Sequence, residues 1–378
     1  MSASSTDNND LPFVSVVVPV RNEEQHIERC FMSLMHQDYP RDRYEILAVD
    51  GQSEDGTCGA VRALQRRYPD VALHLLDNPK RTISPALNLG IQAAQGEVIV
   101  RMDGHSITAP DYLRACVAAL RESQAASVGG AVHAVGSTPF GAAVALATTH
   151  RLGAGDAKYR VGSEAGYVDT VPFGAYRREV LERVGLFDEN MVINEDYELN
   201  VRIRATGERI YLDPAIRFQY TPRGTPRGLW TQYFRYGWWK LETVRRHPGS
   251  MRWRQAIPVA FVAALALALL LAPWSRLAAS GLVLLMLSYS VAVASAARSL
   301  AREAVSMWQV AAAFIIVHVA WGTGFITNLL SRGSFPYRAL PPAIPGLQSS
   351  AALAGAVGPD PAAPRPRGPR ITAVEEAS

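Results

Sequence analysis

The sequence predicts an α/β domain, a mostly parallel sheet flanked by helices, followed by C-terminal transmembrane helices. Three observations carry this. Apolar, β-branched runs alternate with helical segments from Val14 to about Leu212, the pattern of a parallel sheet with helices on both faces. Uncharged apolar runs of 18, 21 and 23 residues follow at 256–273, 277–297 and 308–330, close to the ~20 residues that a bilayer crossing needs. The charge also changes sign along the chain. Residues 1–200 hold 18 Lys/Arg against 27 Asp/Glu, residues 201–254 hold 12 against 3, and residues 255–378 hold 8 against 4. Acidic groups suit metal binding or acid–base work, and a basic collar suits phosphates or an anionic membrane surface. With 378 residues, 48% hydrophobic and 19% charged, the chain can bury a sizeable core and is neither a disordered protein nor a disulfide mini-protein. Its three cysteines, Cys30, Cys58 and Cys116, form no C-x-x-C pair. That argues against a zinc ribbon or a disulfide framework and suits a reducing compartment.

The elements follow in order. Residues 1–10 are polar, lack the apolar core of a signal peptide, and are expected to be a disordered cap. Val14–Pro19 is a continuous apolar run, as in a strand buried on both faces. Asn22 is placed to cap a helix reaching about His36, with Glu23 and Glu24 in its first turn. A strand at Tyr44–Val49 ends at Asp50, a helix spans Thr57–Tyr68, and a strand spans Val71–Leu76. Ser84 precedes a helix that opens on Pro85 and reaches Gln95, and a strand at Glu97–Met102 ends at Asp103. Asp50 and Asp103 thus stand at carboxyl ends of strands, where such sheets bind ligands. The first domain is expected to run over 11–240, with a basic interfacial segment at 241–255. Trp253, Trp274 and Trp308 flank the apolar runs as interfacial anchors. Arg245, Arg246, Arg252 and Arg254 argue for a cytoplasmic first domain, as do Arg298 and Arg302. Three crossings would put the C-terminal arginines outside, against that rule. The Pro/Ala-rich tail, 341–378, reads as disordered.

The runs VSVVVPVRNEE (Val14–Glu24), VDGQSEDGT (Val49–Thr57), NLGIQAAQGEVIVRMDGHS (Asn88–Ser106) and VPFGAYRREVLERVGLFDENMVINEDYELNVRIRATGERIYLDP (Val171–Pro214) come in an order that resembles the family 2 inverting glycosyltransferases of the GT-A fold. Within them, the chain is similar to membrane-attached enzymes of bacterial exopolysaccharide assembly of the succinoglycan type. The resemblance covers about Val14–Lys240.

It implies a nucleotide-sugar-binding fold and a set of site residues. Pro19, Glu23 and Asp50 would line a uridine pocket, with Asp55 supporting its loop. Carboxylates there can accept bonds from a base N–H or ribose hydroxyls, although Glu23 also reads as a first-turn charge and Asp55 as a turn residue. Asp103 and His105 are metal-ligand types on either side of Gly104. They stand where many members carry Asp-x-Asp, and suit Mn2+ or Mg2+. In Asn194-Glu195-Asp196, the Asp of the Glu-Asp pair would be the general base. Crowding raises carboxylate pKa values, while dipole partnership at a helix start is the plainer reading. Glu195 would orient the site and Gly174 would leave room for the acceptor. Gln232-Tyr-Phe-Arg235-Tyr236 stands where processive synthases carry Gln-x-x-Arg-Trp, and Tyr236 in place of Trp disfavours processivity. Arg235 can bridge a diphosphate, Lys80 and Arg81 are further phosphate candidates, and Tyr236, Trp238 and Trp239 can stack on a sugar or anchor an interfacial helix.

The expected activity is metal-dependent, inverting transfer of a sugar from a UDP-sugar to a polyprenyl-diphosphate-linked saccharide. The expected setting is the inner or plasma membrane, multi-pass, with a cytoplasmic catalytic domain. Partners in a polysaccharide assembly complex fit this picture; nucleic acid does not. The alternatives are a processive synthase, a nucleotidyltransferase (for which Val18–Glu24 lacks the Gly-rich loop), and an inactive membrane subunit.

Overall fold

The first strand of the computed structural model, β1 (Val14–Val20), shows why the opening run is apolar at every position but Ser15. Val14, Val16 and Val18 pack into the core on one side of the sheet, and Val17 packs into the core on the other. The structure describes residues 10–162 and 164–331. The expected N-terminal cap up to residue 9 and the tail at 341–378 lie outside them.

The chain continues through α1 (Ile27–Met35), β2 (Tyr44–Asp50), α2 (Thr57–Arg67), β3 (Leu73–Asp77), α3 (Ile83–Ala93) and β4 (Val98–Arg101). These give parallel neighbours in the order β3-β2-β1-β4. Then come β5 (Ile107–Thr108), α4 (Tyr112–Ser123), β6 (Ser127–Gly129), β7 (Val132–Ala134), α5 (Pro139–Thr148), α6 (Arg151–Ala154), α7 (Lys158–Val161) and β8 (Gly166–Val168). The domain closes with β9 (Ala175–Arg177), α8 (Arg178–Val184), α9 (Glu195–Ala205), β10 (Ile210–Leu212) and β11 (Phe218–Tyr220). The main sheet has eight strands, in the order β3-β2-β1-β4-β9-β6-β10-β8, and β5, β11 and β7 form a small second sheet. β9 runs antiparallel to both β4 and β6.

Two expected helix starts are corrected. Asn22 does not cap α1. It adopts φ 54°, and its side-chain oxygen accepts the Glu54 N–H at 2.8 Å while its own N–H donates to Ser53 Oγ at 2.9 Å. The side chain is spent on the neighbouring loop, so the helix begins only at Ile27. Helix α3 begins at Ile83, which makes Pro85 its third residue. The missing proline N–H costs nothing there, because first-turn N–H groups have no intrahelical acceptor.

After β11 comes α10 (Pro226–Arg246), capped by Thr225 Oγ1 and carrying Pro226 in its first turn. The expected boundary at residue 240 lies inside it. Three helices follow, α11 (Trp253–Leu271), α12 (Arg276–Leu300) and α13 (Met307–Leu330). All three are long and apolar enough to cross a membrane.

Candidate active site

Beyond the ends of β1, β2 and β4 a cleft collects groups that lie far apart in sequence. Its floor is Arg101, a charged side chain at the end of an otherwise apolar strand. One terminal nitrogen, Nη2, donates to Asp103 Oδ1 and to Glu195 Oε1, each at 3.0 Å. The other, Nη1, lies 3.5 Å from Asp196 Oδ2. The guanidinium also lies over the Phe173 ring at 5.4 Å. Phe173 and Asn194 both adopt left-handed backbone, with φ 48° and 63°. Non-glycine residues are sparse in that region and, where found, cluster at functional sites. The Asn194 side chain donates to the Tyr236 carbonyl at 3.3 Å, which ties the start of α9 to α10. One residue past Asp196, the Lys240 ammonium lies 3.6 Å from the Tyr197 ring centroid, and the Tyr197 hydroxyl donates to the Ser250 carbonyl at 2.7 Å.

Three carboxylates share one buried cation, and the titration reflects this. Burial pushes Glu195 up to about 7, against the pull of Arg101 and with help from Asp196. Burial opposes the charge of Arg101, but Asp103, Glu195 and Asp196 outweigh it and hold the guanidinium above its ordinary value. The sign for stability follows. The unfolded chain releases the Glu195 proton near its ordinary 4.5, and the folded protein keeps it to about 7. Glu195 therefore contributes most below 4.5, and this share of stability falls as pH rises towards 7. Glu195→Gln is expected to flatten that part of the profile. Melting curves of both proteins between about pH 5 and 8 check it, and parallel profiles would count against it.

One side of the site is two loops stapled together. The Glu23 N–H donates to Thr57 Oγ1 at 2.8 Å and the Glu24 N–H to Asp55 Oδ2 at 3.2 Å. Asp55 also accepts from the Thr57 N–H at 3.0 Å. Burial raises the Asp55 pKa, but the bonds from Thr57 outweigh this and hold it below the usual carboxylate range. Asp50 accepts the Ser53 N–H at 3.0 Å at the end of β2. Gly104 brings the next turn in close: a Cβ there would stand 3.1 Å from Val20 and 3.4 Å from Glu23. His105 Nδ1 consequently lies 3.2 Å from Glu23 Oε1. Burial lowers the His105 pKa, but the Glu23 hydrogen bond and the Asp103 charge outweigh it, and the imidazole sits above its ordinary value.

A family model for glycosyl transferase family 2 matches residues 15–185. The succinoglycan biosynthesis protein ExoA of Rhizobium meliloti is 32% identical over 320 residues, covering 83% of this chain and 94% of that protein. The chain belongs to glycosyl transferase family 2. A second family 2 relative is the dolichyl N-acetyl-alpha-D-glucosaminyl phosphate 3-beta-D-2,3-diacetamido-2,3-dideoxy-beta-D-glucuronosyltransferase of Methanococcus voltae. It is 28% identical over 247 residues, covering 64% of this chain and 77% of that protein. Among solved structures, the mannosyltransferase PcManGT from Pyrobaculum calidifontis in complex with GDP-Man and Mn2+ superposes with a TM-score of 0.58. That match is 24% identical and covers 83% of this chain and 88% of that one. The fold is GT-A.

Within this family 2 domain, the expected site residues divide. Asp103, Glu195 and Asp196 meet at Arg101, His105 meets Glu23, and Asp50 and Asp55 bond to Ser53 and Glu24 in the adjoining loops, with Pro19 on β1 beside Val49. Arg81, with φ 62°, donates from Nε to Gln52 Oε1 at 2.8 Å and stays at the rim, while Lys80 is paired with Glu189. Arg235 is half-buried on α10, and Tyr236 beside it receives a bond from Gln232 at 3.0 Å.

Two expectations fail on packing. A Cβ at Gly174 would stand 2.7 Å from the buried Tyr176 ring, so this glycine makes room for Tyr176 and not for an acceptor. Trp238 is 2% exposed, and its carbonyl is bound by Asn328, so its ring faces the core and not a sugar. Arg101 is the residue the sequence reading missed. Its signal was a lone cation after Val98-Ile-Val100, two positions before Asp103.

A divalent cation fits this end of the cleft. Carboxylate and imidazole donors from Asp103 and His105 suit Mn2+ or Mg2+. Such ions commonly take one or two protein ligands and complete their shell with substrate phosphates and water. No group of three or more His, Cys, Asp or Glu poised to hold an ion occurs among the described residues, so a bound ion would have to draw the rest of its shell from substrate and water.

Proposed function

We propose that this glycosyltransferase transfers one sugar from a nucleotide diphosphate donor, a UDP-hexose, to a saccharide on a lipid diphosphate, with inversion at the anomeric carbon. The observation that carries this is the convergence of Asp103, Glu195 and Asp196 on Arg101, across 94 residues of sequence. It supports a reading in which the base lies beside the end of the site that takes the diphosphate. Glu23, Asp50 and the stapled loops hold the nucleoside. Asp196, at 28% side-chain exposure the most open of the three, takes the proton of the acceptor hydroxyl as its oxygen bonds to the anomeric carbon. The bond from that carbon to the diphosphate oxygen breaks on the opposite face, and the nucleoside diphosphate leaves with the electron pair. Asp103 and His105 would hold a divalent cation, which would supply charge neutralisation for the leaving diphosphate. The apolar C-terminal helices keep the enzyme beside an acceptor that stays in the bilayer.

The test is nucleoside diphosphate release from a panel of UDP- and GDP-sugars by detergent-purified protein, with lipid extract as acceptor. Release from one donor is expected, raised by lipid, abolished by EDTA and restored by Mn2+ or Mg2+. Release that is indifferent to EDTA would remove the metal from the reading, and release only from GDP-sugars would remove UDP.

A further inference from the structure

Length and composition make α13 a candidate third span, but its packing says otherwise. Half of its most apolar window is buried inside the protein, against 0% for α11 and 6% for α12. Elements of the catalytic domain accompany it from end to end. Near its start, Val310, Ala313, Phe314 and Val317 share a core with Ala143, Val144 and Ala147 of α5. One turn on, His318 Nε2 lies 2.8 Å from the Leu152 carbonyl of α6. Next comes backbone-to-backbone contact with α10. A Cβ on Gly237 would stand 2.0 Å from the Trp321 carbonyl oxygen, and one on Gly324 would stand 2.0 Å from that of Phe234. Near its end the fully buried Asn328 donates to the Trp238 carbonyl at 2.9 Å and to Glu242 at 3.0 Å, and accepts from Arg245 at 2.9 Å.

Val310 and Asn328 are about 27 Å apart along a helix, nearly the ~30 Å thickness of the hydrocarbon layer. If α13 crossed that layer, its far end would carry Glu242 and Arg245 of α10 with it, at a prohibitive desolvation cost.

The other two helices meet α13 near their domain-side ends. From α11 it receives Gln255, whose carbonyl accepts the Trp321 Nε1–H at 3.2 Å, and Pro258 and Val262, which lie against Gly322. From α12 it receives Tyr289, Val293 and Ala297. The opposite ends, with Leu270, Trp274, Leu277 and Leu284, stand exposed.

We propose that α13 does not cross the bilayer. It lies along the membrane surface as the floor of the catalytic domain, and α11 and α12 alone form the inserted hairpin. Its outer face, with Trp308, Ile315, Leu329 and Leu330 exposed, rests on lipid. An apolar face with an aromatic end is what an interfacial helix presents to lipid. The charge pattern agrees. With two crossings, Arg332, Arg338, Arg365, Arg367 and Arg370 fall on the same side as Arg245, Arg246, Arg298 and Arg302; with three they would not.

The test uses the full chain in intact bacterial cells and a membrane-impermeant maleimide. Cys58, partly exposed in the catalytic domain, reports the inner side. Trp274→Cys is expected to label in intact cells, and Ser331→Cys only after permeabilisation, together with Cys58. Labelling of Ser331→Cys in intact cells would overturn the proposal, as would protection of Trp274→Cys there. C-terminal fusions decide independently of cysteine reactivity. A fluorescent GFP fusion is expected, and an active alkaline phosphatase fusion in its place would restore the third crossing.

Discussion

Asp196→Asn is expected to lower kcat by about 10²–10⁴-fold while leaving donor binding near its wild-type strength. The substitution keeps the shape of the side chain but removes its charge and its ability to take a proton. Asp196 is 28% exposed and lies 3.5 Å from Arg101, so it reaches the cleft without depending on a single tight ion pair. Its neighbour is a poor substitute. Glu195 is 7% exposed and bonds to Arg101 at 3.0 Å. The loops around Asp50 and Asp55 are built from separate bonds to Ser53, Thr57 and Glu24, which the change does not touch. Steady-state turnover beside nucleotide titration checks this. Near-normal turnover would move the base elsewhere, and lost turnover with lost binding would point to a collapsed site.

Arg101→Met is expected to destabilise the protein by about 3–5 kcal/mol, the usual cost of removing one partner from a buried ion pair. Met fills much of the same volume and fits a strand whose other residues are apolar, so the loss is mainly electrostatic. Asp103, Glu195 and Asp196 would then crowd together without their shared cation. Arg101→Lys should fall between, because an ammonium keeps the charge but cannot reproduce the two-pronged contact. Thermal melts in detergent read the difference, and for a chain of this size a fall in Tm of the order of 10 °C is expected. A methionine variant that melts with the wild type would show that the three carboxylates do not depend on Arg101.

Much of the fold was legible because parallel strands buried on both faces leave a local signature. Val14–Val20 and Tyr44–Asp50 are apolar on nearly every residue, since each faces a core on both sides. The strand end at Asp50 was legible for the same reason, as a place where a hydrophobic run stops at a carboxylate, whereas β4 ends at Arg101, two residues short of Asp103. The start of α1 was not legible. Asn22 is a good cap by type, and only the neighbouring loop, offering Ser53 and Glu54, shows that its bonds are used elsewhere.

The sequence by itself determined the α/β class, the order of the first strands and helices, the family, and the presence of three long apolar helices. Each of these is written in local periodicity, composition or short motifs, which need no knowledge of what lies across the molecule. Tertiary structure decided the rest. It brought Arg101 to Glu195 and Asp196, turned Trp238 inward, filled the space over Gly174 with Tyr176, and laid α13 along α10 and α5. The physical reason is common to all four. A charge becomes a site, and an apolar helix becomes a floor in place of a span, only through partners far away in sequence, and hydrophobicity along one segment does not encode which partners those are.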